Sequence, residues 1–453
     1  MTEKINTIES SMGYERSPFE DFMQNDPKPI VKFVPDNAAE QKALFLSGEA
    51  YNPRHVYSAA DSVNFEDEIE SLERKSRSMI IAQGDLKPVQ EAAYRAMAER
   101  YIAITRMMQA ARDFRHAASD DEKSAAKHEF MTHNIEVYGE PHEATYRSMM
   151  CSKLQKIQSM PLDEKGEQIR SELFELIDVD SFTAEQDGAF EPSPETVEWM
   201  QDMVMHLYGP WFRHIPEDTK RFDSEGMQRT FQSILDNEFG GAADGWSVVI
   251  RDAQSVNVRT SEKEIVIPPE RNVTLAQLKR LICHEIGVHA LRAIVGEQTD
   301  TPQLRIGTAS YYDSDEGLGV VVEDAHDGVY RPHGENYYLV AGLSYFEHKD
   351  FRDTFEIWSR MYTLLGAEGQ PIDDAYIEKK RRFAYGNVMR LMRGTDELPW
   401  FKDLGYYNGA NKVWQFLEKY RGDEVMFMML ITGGKIDLDN PNDTSLMLES
   451  RTP

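Results

Sequence analysis

Six consecutive residues, His284-Glu285-Ile286-Gly287-Val288-His289, carry two imidazoles and a carboxylate. Neutral imidazole is a good zinc ligand, and two of them with one further protein ligand leave a coordination position open for water. Zinc lowers the pKa of such a water to about 7. Glu285 is then placed to take its proton as the hydroxide attacks a carbonyl. On this reading His284 and His289 are metal ligands and Glu285 is the general base. The same residues also suit a helix with two hydrogen-bonded histidines and no chemistry, and the motif alone does not separate the two.

The spacing constrains the backbone. The familiar H-E-x-x-H motif places its histidines four positions apart, on one helix face. Here the separation is five, which on a regular α-helix turns the second ring about 140° past the first. A local switch to i→i+5 bonding, a π-bulge, brings the rings back together. The bulge is expected at Gly287 and Val288, where the glycine lowers the steric barrier.

The elements that must position these groups follow from the flanking sequence. Thr274 and Gln277 form a capping-box pattern, so a helix is expected from about 275 to 295. Leu275, Leu278, Leu281, Ile282 and Leu291 supply its apolar face, and Gly296 reads as its stop. Cys283 points about 100° away from His284 and reads as a small buried apolar group. A third ligand is sought in TASYYDSDEGLGVVVEDAHDG. Asp313 or Ser314 can N-cap a helix from about 315, with Glu316 in its first turn as the ligand and Glu323 as the runner-up. Glu323, Asp324 and His326 otherwise read as partners that orient the ligand histidines, or as an ordinary solvated acidic face.

Upstream, WSVVIRD, VNVRT and EIVIPP read as three short strands, with a hairpin at 261–263 and Pro268 and Pro269 ending the third. EIVIPP is a candidate edge for pairing with an extended peptide. Residues 61–240 read as a helical region, with Phe65, Ile69 and Leu72 on one face and Pro88 near a helix start. Residues 1–60, rich in X-Pro pairs, read as an irregular arm that wraps the body or stays mobile. The fold class expected is α+β and mostly helical, with the catalytic core in 241–453.

The chain has 453 residues, 41% hydrophobic and 28% charged, the balance of a globular protein. No apolar run reaches the roughly 18 to 20 residues of a membrane helix. The polar N-terminus lacks a secretory pattern, so a cytoplasmic location is expected. Two cysteines exclude a disulfide scaffold. A net charge of −28 repels nucleic acid and anionic lipid, so neither is an expected partner. Nothing in the sequence bears on oligomeric state.

Several segments in one order resemble the QEGLA-motif metallopeptidases, a family that includes the animal microtubule-associated tyrosine carboxypeptidases. They are HEIGVHALR (284–292), DEGLG (315–319), VMRLMRG (388–394), FKDLGYYNG (401–409) and GGKI (433–436). The resemblance spans roughly 240–440 and implies a zincin-like fold. It implies one zinc ion on His284, His289 and Glu316, with Glu285 catalytic. Gly319 departs from the family's Ala. The implied activity is removal of a C-terminal residue, tyrosine or another aromatic, from a peptide or protein. An endopeptidase or aminopeptidase on the same core, or a binding protein that keeps the metal, are the alternatives.

A carboxypeptidase needs a cation for the terminal carboxylate, which Arg holds bidentately. Lys379, Lys380, Arg381, Arg382, Arg390, Arg393 and Lys402 form the one basic run, with Arg390 or Arg393 as the candidate clamp and Lys402 beside them. The alternative is a solvated helix face. Tyr312, Tyr406 and Tyr407 are candidates to donate to the oxyanion, or are simply packed aromatics. The animal members act on the acidic tubulin tail, which a chain of charge −28 repels unless a basic patch offsets the field.

Overall fold

Proline and short polar caps start most of the helices. Pro88 opens the helix Pro88–His116, where the Gln90 side chain accepts from the Lys87 amide. Ser119 accepts from the Glu122 amide at the head of Asp120–Tyr138, and Ser193 accepts from Thr196 before Pro194–Tyr208. Each cap satisfies an amide the first helical turn leaves unpaired. The structure, a computed structural model, describes residues 18–83, 86–183, 190–253, 255–299, 301–367 and 369–450.

The result is a mostly helical α+β protein with two small sheets. Strands β1 (Arg221–Asp223) and β5 (Asn272–Thr274) pair antiparallel. Strands β2 (Ser247–Ile250), β3 (Asn257–Arg259) and β4 (Glu264–Ile267) form a sheet in the order β2-β4-β3. β3 and β4 are the antiparallel hairpin expected from the sequence, while β2 runs parallel to β4. The β1–β5 pair went unread because three residues per strand are too few to show a period. β4, the strand of EIVIPP, is central and bonded on both sides, so it offers no free edge to a peptide. That expectation is corrected.

Residues 1–17 of the expected arm lie outside the described residues. From Pro18 the arm forms four short helices, Pro18–Met23, Pro29–Lys32, Ala38–Ser47 and Ser58–Asp61, rather than irregular chain. Its aromatics hold it on the body. Phe19, Phe33 and Phe45 are fully buried. Phe45 packs edge-on against Phe351 and Phe355, with the Arg352 guanidinium 3.6 Å above its ring. Burying an aromatic side chain of this kind contributes about 1.5–3 kcal/mol.

Two hydrophobic cores hold the helices that carry the reactive segment and its surroundings. One joins Met200, Val204 and Tyr208 to Ile282, Ile286, Val321, Ala325, Val413 and Trp414. The helices Pro194–Tyr208 and Ser224–Glu238 therefore share a core with the H-E-x-x-x-H segment, although the sequence grouped them with the N-terminal helices. The other gathers Phe45, Tyr146, Tyr338, Phe355, Trp358, Tyr385 and Tyr407. Among the described residues, no helix is long and apolar enough to cross a membrane.

Candidate metal centre

The Thr274 capping box forms as expected: its hydroxyl accepts from the Gln277 amide, and the Gln277 side chain accepts from the Thr274 amide. The helix it opens runs α over Leu275–Leu281, π over Ile282–Ala290 and α again over Leu291–Glu297. The widened segment lies where the five-residue spacing requires it. It brings the His284 and His289 ring centroids to 4.8 Å. Gly296 does not stop this helix. A Cβ there would lie 2.3 Å from the Leu304 carbonyl oxygen, so the glycine admits a neighbouring backbone instead.

A π-segment shifts the carbonyl pairing of the turns around it. The Tyr208 hydroxyl donates to the Gly287 carbonyl at 2.7 Å, in full burial. The tyrosine ring lies flat against the glycine, where a Cβ would come within 2.8 Å of it. Replacing Tyr208 by Phe keeps the ring and strands this carbonyl. The expected loss is about 1–3 kcal/mol of stability, read as a lower urea midpoint at unchanged slope. A variant as stable as wild type would remove Tyr208 from the account of the bulge.

Glu316 comes from the helix Tyr311–Asp327. Its ligand oxygen and one nitrogen from each of His284 and His289 all lie within 4.8 Å of one another. This helix begins a turn earlier than expected, with Ser310 at its N-cap, so Glu316 sits in its second turn. The expected caps are engaged elsewhere. The Ser314 hydroxyl donates to Asp437 and accepts from the Leu438 amide. Asp313 is turned towards Gly405, where a Cβ would lie 2.3 Å from its Oδ1.

Gly317 seats this helix on its neighbour Gly405–Lys419. A Cβ at Gly317 would lie 2.1 Å from the Gly409 carbonyl carbon, and one at Gly409 would lie 1.9 Å from the Asp313 carbonyl oxygen. Both obstacles are backbone and cannot swing aside. Gly317→Ala is therefore expected to cost at least about 1–3 kcal/mol and to draw Glu316 away from the histidines. Urea melts and metal content measured on one preparation check both effects.

Behind the two imidazoles stand two carboxylates. Nδ1 of His284 is 2.6 Å from Glu323 Oε1, and Nδ1 of His289 is 2.7 Å from Asp315 Oδ2. Such a partner fixes the Nδ1–H tautomer and leaves the Nε2 lone pair for a metal. Glu323 thus stands behind His284 rather than in the ligand set. Burial pushes the His284 imidazole down, but the Glu323 hydrogen bond and the charges of Glu285, Glu323 and Glu316 outweigh it and hold its pKa at about 9. Gly319 lies beneath this ring, where a Cβ would sit 2.6 Å from Nε2. The imidazole rests on helix backbone, where any side chain at 319 would intrude.

Asp315 does more than orient His289. It also accepts from Arg292 Nη1 and Lys435 Nζ, each at 2.7 Å, and all three groups are buried. Burial alone would raise the Asp315 carboxyl, but Lys435, His289 and Arg292 hold it well below its ordinary range. Asp324 and His326 do not orient His284 or His289. Asp324 pairs with Arg331 and His333, and His326 faces Asp327. Their side chains leave the helix on other sides than Glu316 and Glu323.

Glu285 is 7% exposed and belongs to the same electrostatic cluster. Burial raises its pKa, while His284 and His289 pull it down. Cys283 is fully buried, and burial pushes its thiol up, which suits the apolar role expected of it.

Three of the seven cations of the basic run are matched to carboxylates. Arg381 reaches Glu356 at 3.3 Å and Arg382 reaches Glu378 at 2.5 Å. Lys380 lies over the Tyr362 and Tyr376 rings, and Lys379 stands exposed. Arg390 gives one guanidinium edge, Nε and Nη2, to Asp403 at 2.8 and 2.7 Å, and its Nη1 and its face to Tyr337. Among the described residues, neither Arg393 nor Lys402 has a carboxylate within 4.0 Å. Arg393 Nε donates to the Arg390 carbonyl. Lys402 Nζ donates to the Tyr312 hydroxyl at 3.1 Å, and the Tyr312 and Tyr406 side chains are hydrogen-bonded to each other. Glu316 acts electrostatically on Lys402, Tyr312 and Tyr406 alike. Tyr407 instead turns into the second core against Tyr338, 5.0 Å between centroids.

Asp315 and Lys435 lie inside segments singled out in the sequence, DEGLG and GGKI, yet their partnership is not visible there. A buried Lys–Asp contact 120 residues apart has no local signature. Tyr208 carries no sequence signal at all, because its partner is a backbone carbonyl.

Two imidazoles and a carboxylate from packed helices, with another buried carboxylate beside them, form a cluster able to hold a metal ion. The chain belongs to a peptidase family: the model of the microtubule-associated tyrosine carboxypeptidases matches residues 210–450, just over half its length. Membership makes it a peptidase with carboxypeptidase-like activity. No curated protein and no solved structure matches the chain.

Proposed function

We propose that the chain is a zinc-dependent metallocarboxypeptidase of zincin-like architecture. It releases the last residue, tyrosine or another aromatic, from a peptide or protein. The observation that carries this is the convergence of His284, His289 and Glu316 within 4.8 Å, with each imidazole backed by its own carboxylate. Two neutral imidazoles and a carboxylate fit zinc and leave a position for solvent. A divalent ion held by these three residues would supply Lewis acidity and lower the pKa of a water on it to about 7.

The chain's own residues do the rest. Glu285 takes the proton from the attacking water and returns it to the departing amine nitrogen as the C–N bond breaks. Arg393 and Lys402 hold the terminal carboxylate, since neither has a carboxylate of its own. Tyr406 or Tyr312 donates to the oxygen that gains charge at the scissile carbonyl. Arg390 holds Asp403 and the aromatic wall formed by Tyr337 and Tyr406.

The test is a library of peptides differing in the last residue, incubated with zinc-loaded protein and read by mass spectrometry. Loss of single C-terminal residues is expected. Internal cuts would replace the carboxypeptidase with an endopeptidase, and identical spectra from wild type and Glu285→Gln would remove the enzyme.

Metal binding should depend on pH in a defined sense. The His284 pKa of about 9 in the metal-free protein lies above its ordinary value of about 6.5. Its protonated form therefore stabilises the metal-free protein fully below about 6.5, and that contribution fades as pH rises through about 9. Zinc must displace this proton. Apparent affinity should rise roughly tenfold per pH unit between 6.5 and 8, measured against a competing chelator. A flat profile would show that His284 is already neutral.

A further inference from the structure

Net charge, taken with the pairing of the basic run, bears on what tail such an enzyme takes. The chain carries −28. An acidic tail would be tolerated only if a basic surface near the site offset that field, and three arginines of the one basic run are not free to provide it. Arg381, Arg382 and Arg390 are each matched to a carboxylate of the chain itself. Lys153 is likewise held by Glu335, two residues before Tyr337. Lys402, within the field of Glu316 and of Arg393, has no carboxylate within 4.0 Å among the described residues, and nor does Arg393; the two together suffice for one terminal carboxylate.

We infer that the substrate is a chain whose last residues carry no excess of negative charge, a neutral or basic C-terminal tail. This rests on the carboxypeptidase reading and departs from the acidic tail that the animal members take. The two cations account for the terminal carboxylate itself. Every further carboxylate on the tail meets the field of a chain of net charge −28. A basic tail is drawn in by the same field, which speeds encounter at low ionic strength. Salt removes the advantage, because the screening length falls from about 30 Å at 0.01 M to about 3 Å at 1 M.

The experiment uses the zinc-loaded full chain and peptides that share the terminal residue best removed from the library. The four preceding positions are acidic, neutral or basic. At low salt, kcat/KM should fall roughly tenfold or more from the basic to the acidic peptide, and the gap should close to about twofold at 1 M salt. An acidic peptide cleaved as fast as the basic one overturns the inference while leaving the carboxypeptidase intact. So does a preference that salt does not move, since a contact within the site would then set it. If no peptide of any charge loses its last residue, the carboxypeptidase reading fails and takes this inference with it.

Discussion

Glu285→Gln should lower kcat by roughly 10²- to 10⁴-fold, the contribution usual for a positioned general base, while zinc content stays at the wild-type level. The reason lies in how the widened helix distributes its side chains. His284 and His289 face Glu316 across the cluster, and Glu285 is buried among the same charges without being one of the three converging groups. Glutamine keeps the volume and a hydrogen-bonding oxygen but cannot take a proton at neutral pH. The loss should therefore fall on kcat far more than on KM, which marks an interaction made in the transition state. Stopped assays on a single good peptide, with metal analysis of the same samples, decide it. More than a tenth of wild-type kcat would assign the proton transfer to another group. Loss of zinc in step with activity would make Glu285 a ligand instead of a base.

The second large effect is on stability. Asp315→Ala should cost about 3–5 kcal/mol, because it strands the charges of Arg292 and Lys435 where water cannot reach them. Arg292 is 1% exposed and Lys435 4%. The change also takes the acceptor from His289 Nδ1, and loss of such a partner weakens metal binding roughly 10- to 100-fold. Asp315→Asn keeps shape but not charge, so it should fall between alanine and wild type in both readouts. The pH dependence has a definite sign. The Asp315 carboxyl is held well below its ordinary range, so its contribution is present above about pH 3.8 and fades only as pH falls through its depressed pKa. Urea midpoints at neutral pH and chelator competition measure the two effects separately. An alanine variant within about 1 kcal/mol of wild type would show that water or a shift of Arg292 relieves the stranded charges.

The reactive segment was legible from the sequence because its signals are local. Thr274 and Gln277 lie three residues apart and report a helix start through their own backbone amides. The five-residue gap between the histidines forces a change of helical pitch, since no regular α-helix brings both rings to one face. The strands SVVI, NVR and EIVI were visible as short β-branched runs between turn residues. Where expectations failed, a distant partner decided the outcome. Ser314 caps nothing because the segment at Asp437–Leu438 takes its hydroxyl. EIVI is no edge because SVVI returns to cover it. Arg390 is no free cation because Asp403 lies beside it once the chain turns after Leu391.

Residue types and spacing along one stretch of chain determined which groups were available for chemistry and how their helix had to be wound. The tertiary structure alone decided which carboxylates stand behind the imidazoles and which cations of the basic run are matched. These depend on contacts between residues tens to hundreds of positions apart. Short-range periodicity carries no record of such contacts, because each is made only when separate helices pack at a particular angle and depth.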